Sequence, residues 1–120
     1  MGNPFVHVEL NTKDVGKAKE FYGKLFDWKL EDAPMDDLQY TMVGVGEGTG
    51  GGMMKQMIPG APSSWLAYVG VDDIAAATKK AKSLGATIMK DVTEVKEFGW
   101  FSIITDPTGA VLAFWKPKKR

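Results

Sequence analysis

Residues 5–28 read FVHVELNTKDVGKAKEFYGKLFDW, and residues 65–88 read WLAYVGVDDIAAATKKAKSLGATI. Each opens on an alternating strand, passes through a polar turn and enters an amphipathic helix. Setting Asp14-Val15 on Asp73-Ile74 brings Ala18 onto Ala77, Tyr22 onto Ala81 and Leu25 onto Leu84. A repeat on this scale constrains the fold more tightly than any local motif. On the first strand Phe5, His7 and Glu9 share one face, and Val6, Val8 and Leu10 share the other. The spacing of Val15, Ala18, Tyr22 and Leu25 predicts a helix over 13–26, with Asn11 and Thr12 as capping residues. Ile74, Ala77, Ala81 and Leu84 predict a second helix over 73–84, capped by Asp72 and closed by Gly85.

Outward from these two stretches the chain reads as strands and turns. In the first half, residues 28–31, 38–45 and 53–57 are predicted strands, with a turn at 34–37. GEGTGGG (46–52) is read as a mobile loop and IPGAPSS (58–64) as a linker. In the second half, strands are expected at 65–71, within 86–95, at 100–105 and at 110–115. Asp106-Pro107-Thr108-Gly109 has the residues of a type I turn. The closing KPKKR is read as a solvated tail. The expectation is α+β: a βαβββ module at 1–57, the linker at 58–64 and a second module at 65–120, with curved, mostly antiparallel strands.

Composition removes several function classes. In a chain of 120 residues, fifteen acidic and fifteen basic side chains cancel, so no field draws nucleic acid or an anionic membrane. There is no cysteine, which excludes disulfides, thiolate nucleophiles and thiolate metal sites. No secretory h-region or membrane-length apolar run appears, so a cytoplasmic location is expected. Gly46 to Gly51 formally match G-x-G-x-x-G. A strand-like methionine run follows them where phosphate cradling needs a helix, so dinucleotide binding is not expected.

HVEL with its following helix and EFYGKLFDW, then VDDIAAA…LGA, then DPTGAVLAFWKP, resemble the glyoxalase, bleomycin-resistance and extradiol-dioxygenase superfamily, the vicinal oxygen chelate fold. The likeness covers nearly the whole chain. It implies a half-barrel with a functional concave face, and frequent association into homodimers. In metal-dependent members it implies one ligand on the first strand and one on the last strand of each module. Carried onto this sequence, those positions are His7 and Leu66, then the stretch from Met53 to Lys55, and Ala113. Only His7 is a strong donor type, and a catalytic divalent site needs about three protein ligands. No metal or other cofactor is therefore expected.

The candidate catalytic residues are His7 and Glu9, an imidazole titrating near neutrality beside a carboxylate. Each also has a plain reading: His7 as a hydrogen-bonded histidine of the sheet face, Glu9 as a satisfied polar group. Tyr68 is the repeat's counterpart of Glu9. With Leu66, Met53, Ala113 and Trp115 it is read as ligand-binding, lining an apolar, aromatic pocket. Core packing is the other reading of Tyr68 and of the tryptophans. Two functions follow from the resemblance. One is metal-free binding of a small, partly hydrophobic molecule, as the antibiotic-resistance members do. The alternative is a lyase or isomerase related to lactoylglutathione lyase, with His7 as base. The expected partners are that small molecule and a second copy of the chain, with no nucleic acid and no membrane.

Overall fold

The computed structural model describes residues 2–35 and 38–118. Ten elements follow in chain order: β1 (Phe5–Thr12), α1 (Val15–Leu25), β2 (Lys29–Met35), β3 (Leu38–Gly44), β4 (Gly51–Lys55), β5 (Ser64–Gly70), α2 (Ile74–Ser83), β6 (Thr87–Val95), β7 (Gly99–Thr105) and β8 (Val111–Pro117). They form two compact units, residues 7–66 and residues 1–6 with 67–120.

In the first unit the strands lie in the order β2-β3-β4-β1. β3 pairs antiparallel with both β2 and β4, and β4 pairs parallel with β1. In the second unit the order is β6-β7-β8-β5. Again the first two pairings are antiparallel and the last, β8 with β5, is parallel. The same βαβββ topology therefore occurs twice, as the repeat predicts. A helix following the first strand of each module supplies the crossover that a parallel pairing requires.

The helix starts differ from expectation. Asp14, not Asn11 or Thr12, caps α1, its Oδ1 accepting the Lys17 N–H at 3.0 Å. Asn11 and Thr12 remain in β1, paired with Met54 and Lys55. Asp73, not Asp72, caps α2 by accepting the Ala76 N–H at 3.0 Å. At its C-terminus, Ala86 N–H bonds Ala81 O and Gly85 N–H bonds Lys82 O. That is a Schellman closure, and Gly85 supplies the positive φ of 108° it needs.

The first unit's core lies between α1 and one sheet face. Leu10, Val43 and Met53 are buried there, with Ala18, Tyr22, Trp28 and Leu30 packed against them. Leu25 does not join them and stays exposed, because the chain leaves the helix there for an extended Phe26. Tyr22 instead stacks on Trp28 and meets Trp65 edge-on, at centroid distances of 5.6 and 5.5 Å. In the second unit α2 packs over β6, β7 and β8, and the buried Thr78 and Ser102 hydroxyls meet at 2.8 Å.

Three local expectations change. Pro34 and Met35 belong to β2 rather than to a turn, and Asp36 and Asp37 lie outside the described residues. Gly51 and Gly52 belong to β4, so the loop is shorter than GEGTGGG. Lys116 and Pro117 extend β8, and Lys118 pairs with Glu94 while lying over the Trp100 ring, so this stretch is structured rather than a solvated tail. Residues 119–120 lie outside the described residues.

Candidate functional site

The face of β1 opposite the helix-side core carries His7 and Glu9. Leu10, the next residue along, points to the core under α1, so alternation sends Glu9 the other way. Glu9 is nevertheless only 6% exposed, and a buried carboxylate needs a donor. Tyr40 provides it. From β3 its hydroxyl donates to Glu9 Oε2 at 2.7 Å, and the Tyr40 hydroxyl oxygen also lies 2.7 Å from His7 Nε2. The imidazole and phenol rings are near-parallel, 21° apart with centroids 6.2 Å from each other. An imidazole, a phenol and a carboxylate thus form one continuous hydrogen-bonded chain. Burial pushes the His7 pKa below its ordinary value of 6.5.

Tyr40 reaches Glu9 because nothing stands between them. Gly52 pairs with Glu9 on one side and Met42 on the other. A Cβ at Gly52 would fall inside the space of the Tyr40 ring and hydroxyl. A glycine in a strand interior often marks such a close approach.

Of the other candidates, Met53 lies away from His7 and Glu9. It pairs with Leu10, is 0% exposed and closes the helix-side core, so it is not on the face of Glu9. Leu66 is buried in the first unit. Tyr68, Ala113 and Trp115 belong to the second unit, where Tyr68 and Ala113 are buried partners across β5 and β8 and Trp115 is half-buried one step along. The reading of the sequence missed Tyr40 and Gly52. Alternation within LQYTMVGV sets Tyr40 opposite Thr41 and Val43, and the glycines preceding Met53 signal a close approach.

The family model described as Glyoxalase/Bleomycin resistance protein/Dioxygenase superfamily matches residues 5–114. The chain belongs to that superfamily. Among curated relatives, the protein named "Putative glyoxylase CFP32" of Mycobacterium tuberculosis is 34% identical over 118 residues. The match covers 93% of this chain and 45% of that relative, so the chain spans less than half the relative's length. Among solved structures, a hypothetical protein from Bacillus halodurans superposes with a TM-score of 0.73 at 17% identity, covering 100% of this chain and 98% of the other. Methylmalonyl-CoA epimerase from Mycobacterium tuberculosis superposes at 0.71 and 16% identity, covering 96% and 88%. At such identities these superpositions establish the fold alone.

This glyoxalase-superfamily chain does not carry a donor set suited to the metal of its metal-dependent relatives. The carried-over positions hold His7 with Leu66, the stretch from Met53 to Lys55, and Ala113, and hydrocarbon, thioether and a lysine side chain are poor donors to hard or borderline cations. Gly52, beside Glu9, has no side chain to offer. Among the described residues no three His, Cys, Asp or Glu side chains cluster to hold an ion. Among the same residues no helix is long and apolar enough to cross a membrane.

The His7 shift has a pH consequence. Its folded-state pKa lies below 6.5, so the unfolded chain binds the proton more readily. This group leaves stability constant above 6.5 and lowers it as pH falls from there through the folded-state value. Asp32, held low by Lys19 and Thr41, and Asp106, held low by Thr108, act only below their ordinary 3.8. Urea unfolding between neutral pH and about pH 5 will show a loss of stability that His7→Gln removes. The assignment is clean because the chain has one histidine.

Proposed function

We propose that this chain binds a small, partly hydrophobic molecule at the face bearing His7, Glu9 and Tyr40, without the divalent metal of its metal-dependent relatives. The observation that carries this reading is the hydrogen-bonded chain from the half-buried His7 imidazole through the buried Tyr40 phenol to the buried Glu9 carboxylate. Burying a carboxylate and satisfying it through a phenol costs more than filling the same space with hydrocarbon. Packing alone gives no reason for it. A ligand with one oxygen-rich end does, since convergent polar groups within apolar surroundings fix orientation.

A second reading is a lyase or isomerase with His7 as base. It is supported by the neutral imidazole and by the name glyoxylase that the mycobacterial relative carries. A homodimer is also part of the proposal. Phe21 and Leu25 on the outer side of α1 are exposed, as are Phe26 and Trp65 nearby, an apolar surface that a second copy would cover.

Two measurements on the purified protein test these statements. Elemental analysis after dialysis is expected to find divalent metal far below one ion per chain. One equivalent, lost on His7→Ala, would overturn the metal-free reading. Light scattering is expected to give twice the 13.1 kDa chain mass, and a 13.1 kDa species at micromolar concentration would contradict the dimer.

A further inference from the structure

We propose that the helix-side groove of the second unit is a binding site for a small aromatic amine, with its ring over Val69, Leu112 and Phe114 and its ammonium group at Asp72 and Asp73. The observation behind it is a difference between the two halves of the repeat. In the first unit Leu10 and Met53 are paired neighbours on β1 and β4, 5% and 0% exposed, with Tyr22 of α1 packed against their cluster. Val69 and Phe114 are the corresponding pair on β5 and β8, yet both are only half-buried. The cause lies on α2, where Ala81 stands in the place of Tyr22. A methyl group replaces a phenol, and the apolar surface beneath it goes uncovered.

What remains is a cavity of about 430 Å³, whose lining includes Val69, Leu112 and Phe114 from the sheet and Ala77, Ala81 and Leu84 from α2. Small-molecule sites are typically about 300–1,000 Å³ and mostly apolar. The repeat points to an aromatic ring as the occupant, because the first unit fills the equivalent space with a ring of its own.

Charge selects the other end of the molecule. Asp72 and Asp73, both exposed, border the groove where α2 begins. Lys80 borders it about two turns on, roughly 10 Å along the helix axis. An ammonium group is drawn to the acidic end and repelled from the lysine end, which sets the direction of binding. Two carboxylates outweigh the partial charge of the helix N-terminus, about half a unit.

The test is titration of the ¹⁵N-labelled protein with tyramine, whose ring is that of a tyrosine side chain, and with p-cresol, the same ring without the amine. Tyramine is expected to shift the amides of Val69, Ala81, Leu112 and Phe114. It should bind about 2–5-fold more tightly than p-cresol, the reach of an exposed charge pair. Asp72→Asn combined with Asp73→Asn, which keeps a capping side chain on α2, should erase that difference. Ala81→Tyr puts the first unit's ring into the second and should abolish binding of both probes. Ala77→Leu, one turn earlier on the same helix face, serves if Ala81→Tyr does not fold. The proposal is overturned if neither probe shifts these amides, or if a folded filling variant binds tyramine unchanged. It is also overturned if the two probes bind alike, or if the double Asn variant keeps the tyramine preference. Loss of a dimer in Ala81→Tyr, with no tyramine shifts in the wild type, would instead make the groove an interface between copies. His7→Ala should leave tyramine binding unchanged, so failure here and failure of the His7 site are read separately.

Discussion

Met53→Ala will lower the stability of the protein by about 2–5 kcal/mol, the range for truncating a large buried apolar side chain. Met53 is 0% exposed between Leu10 and Val43, with Ala18, Tyr22 and Trp28 around that cluster. The partners on both sides belong to paired strands, so they have little freedom to collapse into the vacated space. Denaturant unfolding measures the loss. The ring environment of His7 should be unchanged in the folded fraction, because Met53 and Glu9 stand on opposite faces of the sheet. A small stability loss with a perturbed His7 would return Met53 to the ligand face.

Gly52→Ala is the second large effect, and it falls on the site. The new methyl group would occupy the space of the Tyr40 ring, which must swing away or force β3 and β4 apart. Either movement breaks the Tyr40–Glu9 hydrogen bond at a buried site, a cost of about 1–3 kcal/mol. Binding should fall with stability, and the His7 signal should shift. The variant is read by urea unfolding together with the His7 spectrum. A stable Gly52→Ala protein with the wild-type His7 signal would show that Tyr40 is not seated by that glycine.

The fold was legible because it is written in local periodicity. Two helices with apolar residues at three- and four-residue spacing, each after an alternating strand, leave few topologies open. The family resemblance rests on the same stretches. What stayed hidden depends on register between distant strands. Thr12 is a good capping residue in isolation, but its pairing with Lys55 holds it in β1 and passes the cap to Asp14. The face of Met53 is decided by its pairing with Leu10 and Thr41, which no count along the chain supplies. His7 and Glu9 could be named from one strand's alternation. Tyr40, which joins them, comes from two strands away and reaches them only because Gly52 is bare.

The face carrying His7, Glu9 and Tyr40 is proposed to bind a small molecule. The direct measurement is a fragment screen by ¹H–¹⁵N spectra on the labelled wild-type protein, repeated on His7→Ala. In that variant Tyr40 still donates to Glu9, so the fold should survive the substitution. Small fragments with one oxygen-rich end are expected to shift the amides of His7, Glu9, Tyr40 and Gly52, and these shifts should vanish in a folded His7→Ala protein. A His7→Ala protein that loses stability heavily, while its folded fraction binds the same fragments with unchanged affinity, would contradict it.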